Sequence, residues 1–292
     1  MKSNQTIDQF EIKKSNLKEV DLLVKAHAKS LVFPMDSWLE DQLFSSAVYK
    51  LMYGTKCVGY AAQKKQTLQF FHVRKKYFRY APALLEKVVA ENSIERVFVI
   101  TQDALLCALI AEWEFEKEKH ACFFTDSGQA ANPGVNITNA IFRIAGINDI
   151  SKIRRGTGEY YNEKSGGFSS LEERIAAGAI FILEDKHNLL GCGNIEKGRV
   201  CLDCASVGMF VNQDFRGKGY APVILIKLKE WCYSNGFIPV AGCWYPNTLS
   251  RKSLEAAGMV ATSIGFEAIL KGKEKLPLRT GNPPGELVKE KK

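Results

Sequence analysis

The sequence predicts an α/β (α+β) protein built as two tandem domains of one design. Three observations carry this. The chain has 292 residues, near the size at which single hydrophobic cores stop growing, so two domains of roughly 100 to 150 residues are expected. The stretch "TDSGQAANPGVN", 125 to 136, replaces periodic apolar residues with Gly, Pro, Asn and Ser, which separates domains at 1–130 and 137–292. Both parts then repeat one order of patterns, and Tyr80-Ala81-Pro82 recurs as Tyr220-Ala221-Pro222, 140 positions later.

Taken in order, "FEIKKSNLKEVDLLVKAHAKS" and "SWLEDQLFSS" open the first part in the pattern that opens the second, a short strand and helix and then a second helix. Strands "VYKLMYG", "KCVGYAAQ" and "TLQFFHV" follow, then helix "APALLEKVVAEN", strand "RVFVITQ", helix "DALLCALIAEWEF" and strand "HACFFTD". The second part begins with a short strand and helix in "AIFRIAGINDISKIRR" and a helix in "SLEERIAAG". "AIFILED", "NLLGCGNIE" and "RVCLDCASVGMFV" read as consecutive strands joined by turns. A helix after "DFRGKGYAP", the strand "PVAGCWYPN", a helix stopped by Gly258 and the strand "MVATSIGFEAIL" complete it.

Apolar residues at 46% and charged residues at 25% are ordinary for a folded globular protein. The N-terminus lacks an apolar signal region and no run is long enough to cross a membrane, so a cytoplasmic protein with no membrane partner is expected. Eight cysteines in apolar contexts then read as buried thiols. Cys201 and Cys204 have the spacing of a zinc half-site, but no second pair follows and they fall on an expected strand, so no metal is expected. The net charge of +8 favours an anionic ligand, although half of the excess lies in the tail "KGKEKLPLRTGNPPGELVKEKK".

The joint Arg216-Gly217-Lys218-Gly219-Tyr220-Ala221 carries the chemistry. Pro222 suits a first helical turn, so these residues stand at a helix N-terminus, whose free N–H groups and dipole attract anions. Gly217 and Gly219 permit unusual φ values and close approach of a phosphate, and Arg216 and Lys218 add charge. The chain has neither the GxxxxGK[ST] loop nor, with Pro222 in place, the GxGxxG fingerprint, which disfavours mononucleotide and NAD sites.

Arg216, Gly219 and Ala221 fill the fixed positions of [Q/R]xxGx[G/A], and this joint resembles the acetyl-CoA signature of the GNAT (GCN5-related) N-acetyltransferases. Asn247, Ser250 and Gly258-Met259 are similar to the family's second signature, with Met for Phe. The resemblance covers residues 137 to about 270, with a likeness to FR47-like members. It implies a mixed, mostly antiparallel sheet in which the fourth and fifth strands splay apart around the pantetheine arm of acetyl-CoA. It further implies that the backbone of Met209, Phe210 and Val211 bonds the pantetheine, that amides 216 to 221 hold the pyrophosphate, and that Asn247 and Ser250 flank the departing thiol.

The implied reaction is attack of an amine, from a small molecule or peptide, on the thioester. It needs a base, an oxyanion donor and a proton for the thiolate. Asp203, on the expected fourth strand, is the first candidate base and Glu196 the second; either could be a structural carboxylate instead. Many relatives carry an acidic Tyr where Leu254 stands, so Tyr245, Ser253 or water is left as the acid, or CoA leaves as the thiolate. Leucine at this position also keeps open a non-catalytic CoA-binding module. A less favoured alternative is an aminoacyl-tRNA-dependent transferase.

In the first half, Tyr77 and Arg79 stand where Gly217 and Gly219 stand, so this half is expected to bind no CoA and to shape the acceptor cleft. The basic and aromatic stretch "HVRKKYFRY" reads as a relic loop with its aromatics turned inward, and no nucleic-acid partner is expected. Either a monomer or a homodimer is compatible with the duplication.

Overall fold

Local signals start the helices close to where the patterning places them. Asn16, Asp36, Asp103, Ser170 and Asn247 each accept a backbone N–H from the first turn of the helix that follows, satisfying a donor with no intrahelical partner. The computed structural model describes residues 9–129, 137, 139–158, 160–161 and 164–270. Most of the expected linker and the basic tail lie outside the described residues. The first half runs β1 (Phe10–Ser15), α1 (Leu17–Ser30), α2 (Ser37–Phe44), β2 (Ala47–Tyr53), β3 (Lys56–Lys64) and β4 (Thr67–Val73). It continues with α3 (Ala81–Glu91), β5 (Arg96–Ile100), α4 (Ala104–Ala111) and β6 (Phe115–Asp126). The second half runs β7 (Ile141–Ile144), α5 (Ile150–Thr157), α6 (Leu171–Ala176), β8 (Ile180–Glu184) and β9 (Leu189–Lys197). It ends with β10 (Cys204–Val211), α7 (Tyr220–Ser234), β11 (Ile238–Trp244), α8 (Thr248–Ala256) and β12 (Met259–Leu270).

The strands form one sheet in the order β1-β2-β3-β4-β5-β12-β6-β11-β10-β9-β8-β7. Each half contributes five strands in sequence order, and the two halves exchange their last strands at the centre. β12 pairs with β5 and β6, and β6 pairs with β12 and β11, all antiparallel. The parallel pairs are β4 with β5 and β10 with β11, the corresponding positions of the two halves.

Alternation along β6 sorts the layers. Ala121 and Phe123 pack with α1 and α2, whereas Cys122 and Phe124 join the core under α7 and α8. One face of the sheet therefore carries α1 and α2 beside α5 and α6, and the other carries α3 and α4 beside α7 and α8.

One expected strand is shorter in the structure. "RVCLDCASVGMFV" reads as continuous from 199, but β10 begins at Cys204. Residues 198–203 form the turn from β9, closed by the Cys204 N–H donating to the Cys201 carbonyl at 3.0 Å. Asp203 is thus an exposed turn residue, not a strand residue, and its carbonyl accepts the Ile238 N–H at 2.8 Å. The turn is held from the first half: buried Glu40 accepts the N–H groups of Arg199, Val200 and Cys201 at 2.7, 2.9 and 3.1 Å.

Candidate active site

β10 and β11 pair only over 204–206 with 238–240, and beyond Ser206 and Val240 they part. The other edge of β10 remains paired to β9 as far as Val211. Met209, Phe210 and Val211 therefore present an unpaired backbone edge to the wedge, able to bond an extended ligand. At the mouth, Gly217 and Gly219 adopt φ of 74° and 82°, which side chains larger than hydrogen resist. No atom lies within 4 Å of a Cβ built on Gly217, so its backbone is approachable.

Among the described residues, the amides of Gly217, Lys218 and Gly219 donate to no protein carbonyl. Tyr220 and Ala221 open α7, whose first-turn amides are likewise unspent. Arg216 secures the loop, its Nε donating to the Val211 carbonyl at 3.1 Å. Lys218 Nζ donates to the Asp214 carbonyl at 3.1 Å and leaves the side chain exposed. Unspent amides, positive-φ glycines and a helix N-terminus thus stand beside an open strand edge, an arrangement able to receive an anion.

At the closed end of the wedge a residue from the other half enters. Asp36, the N-cap of α2, is 4% exposed and accepts the Leu39 N–H through Oδ1 at 2.9 Å. A Cβ on Gly242 would lie 2.1 Å from Asp36 Oδ2, so only glycine on β11 admits this carboxylate. The next residue, Ser37, donates its N–H to Ser206 Oγ at 2.7 Å, where the pairing of β10 with β11 ends. Burial raises the Asp36 pKa from 3.8 to about 7, against the Leu39 hydrogen bond and with help from Glu196, Glu40 and Asp41. A carboxylate so poised is a candidate base at neutral pH.

Asp36 lines a cleft of about 240 Å³ with Trp38, His120 and Phe123 of the first half and Gly242 and Trp244 of the second. Trp38 packs on His120 and Phe123 with centroids 5.4 and 6.2 Å apart. Trp244 forms an exposed rim. None of these was legible as a site residue, because Asp36 meets Gly242 across more than 200 positions of chain.

The carboxylates favoured by sequence lie elsewhere. Asp203 stands at the start of β10, whereas the glycine loop follows its far end, roughly 25 Å away at about 3.3 Å per strand residue. Glu196 is buried in an ion pair with Arg174 at 2.5 Å and accepts Ser165 Oγ at 3.0 Å, which commits it to holding the loop before α6.

Of the candidate acids, Ser253 donates its Oγ to the Leu249 carbonyl of its own helix at 2.9 Å. Tyr245 accepts Lys119 Nζ at 3.0 Å, and this bond holds its pKa below the ordinary phenol value. Asn247 caps α8 by accepting the Ser250 backbone N–H at 3.0 Å, which accounts for Asn at the N-cap. Leu254 is a core residue.

Residues 16–127 match the model of the GNAT acetyltransferase domain, and residues 148–259 match that of the GNAT acetyltransferase family. The chain belongs to the GNAT family. Both halves of this tandem GNAT protein carry the fold, and family membership makes acyl transfer its reaction class. An acetyltransferase of the GNAT family from Colwellia psychrerythraea is similar at 17% identity and a TM-score of 0.76, covering 89% of this chain and 100% of that one. A GCN5-related N-acetyltransferase from Sphaerobacter thermophilus is 13% identical with a TM-score of 0.55, over 91% of this chain and 97% of its own. A tandem GNAT protein from the clavulanic acid biosynthesis pathway is 11% identical with a TM-score of 0.56, over 90% and 100%. At these identities the likeness is one of fold. None of the curated proteins compared by sequence is similar to this GNAT chain. Among the described residues, no helix is long and apolar enough to cross a membrane, and no cluster of three His, Cys, Asp or Glu could hold a metal.

Proposed function

We propose that the protein is an acetyl-CoA-dependent N-acetyltransferase with a small amine as acceptor. The observation that carries this is the wedge between β10 and β11, with an anion loop at its mouth and the Asp36 carboxylate at its closed end. In this reading amides 216–221 take the pyrophosphate of acetyl-CoA, and the free edge of residues 209–211 takes the pantetheine. Asn247 and Ser250, at the start of the helix that follows β11, would in this reading flank the departing thiol.

The acceptor enters from the cleft as an ammonium ion and gives a proton to Asp36. The neutral nitrogen attacks the thioester carbonyl carbon, and a backbone N–H of the free edge stabilises the oxyanion, worth about 3 kcal/mol by comparison with similar donors. Collapse breaks the carbon–sulfur bond and the thiolate takes the Tyr245 proton; the amide nitrogen sheds its remaining extra proton to solvent, from which the Tyr245 phenolate is reprotonated, and Asp36 releases its proton before the next turnover. Tyr245, just after β11, packs on the core under α7 and α8, whereas Gly242 faces Asp36 of α2, so base and acid would approach a thioester in the sheet plane from two sides.

The test is Gly219→Trp, assayed by acetyl-CoA calorimetry and thiol release. Loss of both with retained folding is expected; unchanged affinity would overturn the assignment of the donor site. Tight acetyl-CoA binding by the native protein, without thiol release on a broad amine panel, would instead support a regulatory CoA-binding module.

A further inference from the structure

The cleft beside Asp36 has a composition that selects its ligand. Three of its walls are aromatic: Trp38 and Phe123 lie in contact on one side, His120 packs under Trp38, and Trp244 stands at the rim 63% exposed. Asp36 is the only carboxylate lining it among the described residues, and it lies at the buried end. The volume of about 240 Å³ is below the usual range of roughly 300 to 1,000 Å³ for pockets that take drug-sized ligands. A peptide chain is too large for such a space. A polyamine would leave all but one of its charges without a partner in it.

We propose that the acceptor is a small primary arylalkylamine, its ring between Trp38 and Trp244 and its ammonium on Asp36. The ring gains aromatic contacts on entering, and the ammonium gains a charge partner next to ring faces that attract cations. Specificity would then come mainly from the half that lacks the glycine loop, since Asp36, Trp38, His120 and Phe123 all belong to it. This rests on reading the cleft as the acceptor site of the proposed transferase, so the test separates binding from turnover.

Full-length protein is titrated by calorimetry, without any acyl donor, with tryptamine, phenethylamine, butylamine, spermidine and a short peptide with a free N-terminus. Tryptamine and phenethylamine are expected to bind at least tenfold more tightly than the other three. Trp38→Ala and Asp36→Asn should each weaken them at least tenfold while leaving acetyl-CoA affinity unchanged. Should Trp38→Ala fail to fold, Trp244→Ala alters only an exposed rim and is expected to weaken the arylalkylamines about threefold or more. Equal or tighter binding of butylamine, spermidine or the peptide overturns the proposal, as does arylalkylamine binding indifferent to these changes. Thiol release is then measured with acetyl-CoA on the same panel. Aromatic preference in binding without thiol release on any amine would refute acetyl transfer and uphold the ligand class. Turnover of amines without aromatic preference would do the reverse.

Discussion

Asp36 accounts for its own perturbation. Its Oδ1 is held by a helix cap, an arrangement that ordinarily lowers a carboxyl pKa, yet burial outweighs the cap and three neighbouring carboxylates add to the rise. As the base, it should give kcat/KM a rising limb with a midpoint near pH 7 in the free enzyme. Asp36→Asn should remove that limb and lower kcat/KM by about 10²- to 10⁴-fold, the usual range for a positioned base. The linkage has a definite sign. Between about pH 4 and 7 the folded protein keeps a proton that the unfolded chain has released, so this group's contribution to stability falls as pH rises through that window and is level above it. Urea unfolding of the native protein and the Asn variant across this window checks it: the difference in their slopes should carry that sign. Glu196, Glu40 and Asp41, which act on Asp36 from β9 and α2, must be held in common for the comparison. Gly217 and Gly219 were readable from sequence because a positive φ is a local demand. Asp36 was not, because only its meeting with Gly242 gives it a role.

At the scale of elements, α2 is a first-half helix fastened into the second half. Glu40 caps the β9–β10 turn with three backbone bonds, and Asp41 accepts the Gly166 N–H at 2.8 Å and pairs with Arg199 at 2.5 Å. Glu40→Ala would strand three amides and is expected to cost about 3 kcal/mol, read as a lower urea midpoint. Because the same helix begins at Asp36, catalysis in Glu40→Ala should fall further than global unfolding explains. Nearly every helix and strand was legible, since caps and apolar periods act within a few residues. The 198–203 turn was misread as strand because its fastening lies about 160 positions away. The stretch "HVRKKYFRY" matches its inward reading at Tyr77 and Tyr80, which pack on the first core with Tyr53, but not at Phe78, which is exposed. There residues 75–80 form a 3-10 turn without positive φ, unlike the glycine loop.

Across the whole molecule, the two halves kept one topology and diverged at the wedge. Where the second half holds the open glycine loop, the first has the closed 3-10 turn of residues 75–80, and under α1 it packs a buried chain of polar groups. His27 bonds Tyr60 at 2.8 Å and Asp103 at 2.9 Å, and His72 stacks on it at 4.8 Å. One equivalent of acetyl-CoA per chain is therefore the expected calorimetric stoichiometry; two would require a second donor site. The exchange of β6 and β12 was beyond the sequence, which shows both as apolar strands without naming a partner.

That exchange has a consequence for synthesis. Until residues 259–270 leave the ribosome, β5 and β6 have no strand between them, and each offers a bare hydrogen-bonding edge. About 130 residues separate the end of β6 from the start of β12, so at roughly 5–20 residues per second the nascent first half waits on the order of 10 s for its last strand. Its protection against edge-to-edge association is thus a matter of timing before it is one of structure.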